Sequence, residues 1–331
     1  MERTLAERIF HLRDEAGFEE LALETFRFQY ARCDVYRHYA DGIGHNPERV
    51  RSVEEIPFLP IGFFKTQTVY GGDSPAEAVF TSSGTTGMTP SRHHVQSLAI
   101  YRRSFRETFR QMVGDPKDFA ILALLPSYLE RQGSSLLYMV QSLMEESGHP
   151  MNRFYLHQLD TLSENLELLA AQGQRTILFG VSFALLDLVE HHRFHLPELM
   201  VFETGGMKGR RKELLREELH QRLCEGLGVA RIRSEYGMAE LLSQAYSDGG
   251  ELFRCPPWMR VLTRDMYDPL RITHEPGRNG GLNIIDLANL YSCSFIATQD
   301  IGRIAPDGRF SVMGRFDQAD LRGCNLLVME E

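Results

Sequence analysis

The stretch Thr81-Ser82-Ser83-Gly84-Thr85-Thr86-Gly87 interleaves hydroxyl side chains with glycines directly after an apolar Val79-Phe80 pair. Glycine lets the backbone turn tightly and come close to an anion, because no Cβ intervenes. Successive N–H groups in such a turn converge into an anion-binding nest, and the hydroxyls add donors without adding charge. The chemistry this composition suits is phosphate binding. No Gly-Lys-Ser/Thr follows, so the loop is not a Walker loop, and it lacks the G-x-G-x-x-G order of a dinucleotide site. A plain Ser/Thr/Gly surface loop has the same composition.

Four further segments combine a turn with a chemically useful side chain. They are Glu203-Thr204-Gly205-Gly206, Tyr236-Gly237-Met238-Ala239-Glu240, Thr298-Gln299-Asp300-Ile301-Gly302-Arg303, and Gly314-Arg315-Phe316-Asp317 continued by Leu321-Arg322-Gly323-Cys324. Glu240 is a candidate Mg²⁺ carboxylate, with a helix-start acid favoured by the dipole as the alternative. Asp300 accepts hydrogen bonds only, which suits a ribose diol, and it also suits the start of a turn. Cys324 is a candidate nucleophile beside Arg322 and Arg315, since nearby cations favour the thiolate. Its flanks Leu321, Leu326, Leu327 and Val328, read by themselves, favour a small apolar residue in a terminal strand.

The elements around these segments follow from periodicity. Residues 5–40 carry apolar positions at helical spacing and predict two helices with a break near Gly17. His94–Val113 predicts a helix with Leu98, Tyr101, Phe105 and Phe109 on one face. Phe119–Leu125 and Thr176–Val181 are continuous apolar runs, as in strands buried on both faces. Helices are expected at Ser134–Glu146, Phe183–His191 and Arg210–Leu223, with strands at Glu198–Phe202 and Ala230–Ser234. This alternation predicts a layered, largely parallel α/β core. After Asp248 the pattern turns all-β: Met259–Thr263, Gly281–Asp286, Cys293–Thr298, then a hairpin over Ile301–Met313 turning at Pro306-Asp307-Gly308. The expected organisation is a helical region at 1–75, an α/β nucleotide- and acyl-binding region at 76–247, a β subdomain at 248–316 and a hinge-like stub at 317–331.

Hydrophobic residues are 43% of the 331 residues and charged residues 24%, an ordinary globular composition. The formal charge of −9 argues against nucleic acid or an anionic membrane surface as the main partner. Five scattered cysteines without C-x-x-C spacing fit a reducing compartment and neither a disulfide scaffold nor a zinc site. With no apolar signal-peptide core and no run able to span a bilayer, a cytoplasmic location is expected.

Taken together, the order and spacing of the five segments resemble the adenylate-forming superfamily of acyl-CoA synthetases, luciferases and peptide-synthetase adenylation domains. The resemblance covers roughly residues 50 to 331. Within it, three stretches resemble the LuxE-type acyl-protein synthetases: Pro57-Phe58-Leu59-Pro60-Ile61-Gly62-Phe63-Phe64-Lys65, Leu125-Pro126-Ser127-Tyr128-Leu129-Glu130-Arg131-Gln132-Gly133-Ser134-Ser135 and Arg322-Gly323-Cys324-Asn325.

The resemblance implies an adenylate-forming α/β fold with a smaller β subdomain, and ATP and Mg²⁺ as cofactors. Thr81, Ser82, Ser83, Gly84, Thr85, Thr86 and Gly87 would hold the phosphates, and Gly205 and Gly206 would lie beside adenine. Tyr236 with Gly237 would stack on the base, with Glu240 at the metal. Asp300, followed by Gly302-Arg303, would hold the ribose, with Arg315 at the hinge and Cys324 carrying the acyl group. The implied substrate is a fatty or related carboxylic acid, and a partner protein would accept the acyl group. A phenylacetate-type acyl-CoA ligase and a non-catalytic adenylate-fold binding protein are the alternatives.

Two departures from the superfamily pattern stand out. Met88-Thr89-Pro90-Ser91-Arg92 replaces the usual Pro-Lys after the loop, with Arg92 or His93 as candidate sources of charge. Seven residues follow Cys324, so the superfamily's C-terminal domain is expected to be essentially absent. Either the reaction then runs without its lysine, or Lys65, Lys208 or a partner replaces it.

Overall fold

The computed structural model describes residues 4–82, 89–126, 133–205 and 214–316, and they fall into two compact units. One gathers the described residues up to Asp73 and from Pro257 onward; the other runs from Ser74 to Pro256.

The first unit opens with helices Leu5–Ile9, Glu15–Arg32 and Asp34–Gly42. Periodicity places a break near Gly17, but the break lies at residues 10–14. The Asp14 carboxylate caps the second helix by accepting the Gly17 N–H at 2.8 Å, which draws Gly17 into its first turn. Strand β1 (Leu59–Pro60) follows.

The chain then builds the second unit. Strands β2 (Ala78–Thr81) and β3 (Arg92–Val95) form an antiparallel hairpin. Helix Leu98–Met112 leads to β4 (Ala120–Leu124), and helix Ser135–Ser147 to β5 (Arg153–Tyr155). Helix Leu159–Ala171 precedes β6 (Thr176–Val181), and helix Ser182–His191 precedes β7 (Met200–Thr204). Helix Arg216–Leu227 precedes β8 (Arg233–Tyr236), which is followed by β9 (Ala245–Ser247) and β10 (Leu252–Phe253). The helix expected from His94 begins only at Leu98, because His94 and Val95 pair with Val79 and Ala78 as strand.

The main sheet of this unit has the order β5-β4-β6-β7-β8-β9, parallel except for β9. Every residue of β4 and β6 is buried. Successive side chains of a strand point to opposite faces, so this sheet is covered on both. The continuous apolar runs in the sequence reflect that.

On returning to the first unit the chain forms β11 (Met259–Arg264), β12 (Ile272–Thr273), β13 (Gly280–Asp286), β14 (Phe295–Ile304) and β15 (Phe310–Arg315). They lie antiparallel in the order β15-β14-β13-β11-β12. Strand β14 is ten residues long; β1 runs parallel to its start and β15 pairs with its second half. The buried Gln29 amide fastens the helices to this sheet. Its Nε2 donates to the carbonyls of Asn289 and Leu290, both at 2.9 Å, and its Oε1 accepts the Ser294 N–H. Among the described residues no helix is long and apolar enough to cross a membrane.

Candidate active site

In the second unit the hydroxyl-rich loop leaves from the end of β2. The Thr81 N–H donates to the Gly133 carbonyl at 2.8 Å and the Ser82 N–H to the Ser91 carbonyl at 3.3 Å. The Ser82 hydroxyl in turn accepts the Ser91 N–H at 2.9 Å, which leaves its own proton to give. The loop base is therefore closed by Ser82 and Ser91. Ser83, Gly84, Thr85, Thr86 and Gly87 lie outside the described residues. Of the two candidate charges after the loop, Arg92 is exposed and His93 is fully buried. The His93 Nδ1 pairs with the Ala239 carbonyl at 2.8 Å, so it carries the proton and donates. This bond joins the hairpin to the Tyr236–Glu240 segment.

That segment leaves the C-terminal end of β8, beside the end of β7, where parallel α/β sheets place their ligands. The register Glu203↔Ser234 sets the two exits side by side. At the first, Thr204 is buried and Gly205 has φ +81°, the left-handed region that glycine tolerates; Gly206 lies outside the described residues. At the second, the half-buried Tyr236 ring sits 5.7 Å from Phe253, and the Arg216 guanidinium lies 4.8 Å from the Phe253 ring. Glu240 is 5% exposed.

Two acids to which the motifs assign no role, Glu203 and Glu235, lie under these exits. Glu203 accepts from the Ser182 hydroxyl and, at 3.4 Å, from the Ser234 hydroxyl. Glu235 accepts from the Thr204 hydroxyl at 2.9 Å. Burial pushes the Glu235 carboxyl up to about 7; the Thr204 hydrogen bond works against that rise and the Glu203 carboxylate adds to it. His220 on the next helix is pushed down to about 4 by burial and by Arg216. A signal for Glu203 was present, since it stands two residues before a glycine near the end of the apolar strand Met200–Thr204; Glu235 lies in the polar strand Arg233–Tyr236 and had none.

The first unit holds the remaining positions. Asp300, 5% exposed, accepts from Arg315 Nε at 2.8 Å across the β14–β15 pair. Arg264 was also missed. Its guanidinium is buried, donating to the carbonyls of Leu282 (2.9 Å) and Thr298 (2.5 Å) and to the Asn283 side chain (2.8 Å). Burial lowers its pKa and the nearby Asp300 opposes that shift. Arg303 is exposed on β14 opposite Ser311.

Cys324 lies outside the described residues. The other four cysteines are free: Cys33 and Cys293 are buried, Cys224 and Cys255 half-buried. Burial raises the pKa of Cys33, Cys224 and Cys293, which keeps them protonated and poor nucleophiles. Of the LuxE-like stretch from Leu125 to Ser135, residues 127–132 lie outside the described part, whereas Met139 and Val140 in the following helix Ser135–Ser147 are buried. No cluster of three or more His, Cys, Asp or Glu suited to a metal occurs among the described residues.

The fold is that of adenylate-forming enzymes. A 2-hydroxyisobutyryl-CoA ligase with a bound acyl-AMP superposes with a TM-score of 0.66 at 14% identity, over 94% of this chain and 70% of that one. ATP-bound MatB from Rhodopseudomonas palustris gives 0.54 at 18% identity, over 74% and 50% of the two chains. The O-succinylbenzoate-CoA synthetase MenE of Bacillus subtilis, with ATP and magnesium, gives 0.51 at 16% identity, over 72% and 49%. At such identities the likeness concerns the fold alone. The sequence pattern of the acyl-protein synthetase family LuxE matches residues 11–331, and the chain belongs to that family. It is also 35% identical over 72 residues to a long-chain-fatty-acid–luciferin-component ligase of Photorhabdus luminescens, a stretch that is 21% of this chain and 60% of that relative.

Proposed function

We propose that the chain activates a fatty or related carboxylic acid with ATP as an acyl-adenylate and then passes the acyl group to a protein thiol. One observation carries this reading: within a chain matched to the acyl-protein synthetases, the exits of β7 and β8 lie side by side and present Thr204-Gly205 and Tyr236–Glu240. The nucleotide-bound relatives of the same fold, and a ligase relative named for long-chain fatty acids, support it.

In the first half-reaction a carboxylate oxygen attacks the α-phosphorus of ATP and pyrophosphate leaves. Both reactants are anions, so the protein's work is placement and charge neutralisation. The loop from Thr81 to Gly87 grips the departing phosphates with hydroxyls and backbone N–H groups. Tyr236 stacks on the base, the glycines of the β7 exit admit it closely, and Asp300 accepts from the ribose hydroxyls, with Arg303 and Arg315 flanking. Glu240 suits Mg²⁺, a hard cation that takes carboxylate oxygen and is bound through one or two carboxylates together with substrate phosphates. Bound there, Mg²⁺ would supply charge neutralisation at the phosphates.

In the second half-reaction the Cys324 thiolate attacks the acyl carbon and AMP leaves. A partner protein then receives the acyl group. Cys324→Ser separates the two halves. Labelled fatty acid and ATP should mark the wild type through a hydroxylamine-sensitive bond and leave the variant unmarked, while pyrophosphate exchange survives. Equal labelling of the variant would remove Cys324 from the reaction and leave adenylation standing.

A further inference from the structure

The two oxygens of the buried Glu235 carboxyl face two different glycine turns. Oε2 accepts the Thr204 hydroxyl at 2.9 Å, one residue before the left-handed Gly205. Oε1 lies against Gly237, where a Cβ would come within 2.5 Å of it. Gly237 does not have a positive φ, so this close approach, not backbone conformation, is what its lack of a side chain permits. Glu235 is 9% exposed and Thr204 5%, so neither group is free to swing away into water. The flanking register closes the site from both sides: β7 supplies Glu203 and Thr204, and β9 supplies Tyr246 directly opposite Glu235.

We infer that Glu235 is a positioning residue for the nucleotide, a single carboxyl that fixes the Thr204-Gly205 turn relative to the Tyr236-Gly237 turn and so sets the width of the slot between them. This rests on the proposal that adenine binds between those turns and goes beyond it, because Glu235 does not itself touch the ligand. Backbone hydrogen bonds pair β7 with β8 at Phe202↔Arg233 and Glu203↔Ser234. Neither pair includes Thr204 or Glu235; their side chains carry the link beyond the ladder. A buried acid would otherwise be a poor choice at this position. Leucine packs as well at far lower desolvation cost, but it neither accepts from Thr204 nor presents a flat edge to Gly237.

Among the described residues, the titratable groups that act on Glu235 or feel its charge are Glu203 on β7 and Tyr246 on β9. Both carry acidic groups. The link is therefore made by a hydroxyl and a carboxyl, and it does not need the carboxyl to be ionised. Glutamine should replace it.

The test uses the full chain and ATP as the probe, with the affinity read by calorimetry and the turnover by pyrophosphate–ATP exchange. Glu235→Gln should hold ATP affinity within about twofold of wild type. Glu235→Leu and Thr204→Val should each weaken it about tenfold while exchange at saturating ATP changes little, since the loss falls on binding. The double variant Thr204→Val/Glu235→Leu should be no weaker than either single one, because both remove the same link. Thr204→Val carries the test if Glu235→Leu fails to fold. Folded variants that bind ATP as wild type, or losses that simply add in the double variant, would overturn the link while leaving the nucleotide site intact. A folded wild type that neither binds ATP nor exchanges pyrophosphate would overturn the proposed function and the slot with it.

Discussion

Glu235 in the middle unit and Asp300 in the unit made from the chain ends are both buried acids beside proposed nucleotide positions, yet their surroundings are opposite. Asp300 accepts from the exposed Arg315, and its charge favours that of the nearby buried Arg264. Glu235 sits between a neutral hydroxyl and another acid. In the first unit the acid complements charge that is already buried, so the charge itself is structural. In the second the charge is a liability, and what the fold uses is the shape and the acceptor oxygens. Two carboxyls that look alike as letters thus respond to substitution in opposite directions.

The largest effect is expected at Asp300. Asp300→Ala leaves the buried Arg264 charge without its nearby anion while its bonds to the Leu282 and Thr298 carbonyls and the Asn283 side chain remain, and should destabilise the protein by about 3 kcal/mol in chemical denaturation. Asp300→Asn keeps the volume and part of the hydrogen bonding, so it should lose less stability and chiefly raise the KM for ATP. A fully stable, fully active Asp300→Ala would erase the contrast between the units.

Glu235 should behave the other way. Its carboxyl is raised to about 7 in the fold from an ordinary 4.5. Between those values the folded state binds more protons than the unfolded state, so stability falls as pH rises through the window and levels off above it. Glu235→Gln removes that fall. The variant should gain on the wild type steadily as pH rises, reaching up to about 3 kcal/mol near pH 8 and almost nothing near pH 4. A difference in Tm that is flat with pH would show that Glu235 is ionised in the fold without cost.

Arg315→Ala sharpens the comparison at its weak end. The Arg315 side chain is 67% exposed, so its loss should cost under about 1 kcal/mol, and less as salt is added. A larger, salt-insensitive loss would make the Arg315 bond a main anchor of Asp300 and erase its surface character.

Much of the parallel sheet was readable because burial on both faces leaves uninterrupted apolar runs: Thr176–Val181 is β6 to the residue. The hairpin through Pro306-Asp307-Gly308 was readable for its turn chemistry, and the Ala305–Arg309 backbone bond closes it. The β2–β3 hairpin was not. Its strands are four residues long and half polar, and His93-His94 continues smoothly into a helical pattern. The joining of the chain ends was also invisible, since contacts such as Gln29 with Asn289 span 260 residues.

At the site, glycine turns and acids with a familiar spacing stood out. Glu235 and Arg264 did not, because each is defined by what its strand neighbours offer. Thr204 lies 31 residues from Glu235, and Arg264 reaches carbonyls on β13 and β14. The residues from Ser83 to Gly87, Gly206 and Cys324 rest on sequence alone.

Carboxylate-dependent pyrophosphate–ATP exchange over a panel of acids of graded chain length bears most directly on adenylate formation. Wild-type protein should exchange only when a suitable acid is present. The double variant Thr85→Val/Thr86→Val should lose exchange by about two orders of magnitude at an unchanged Tm, because the two hydroxyls act on the phosphates and not on the fold. Absence of exchange with every acid in correctly folded protein, or exchange that ignores the acid, would contradict an acyl-adenylate-forming enzyme.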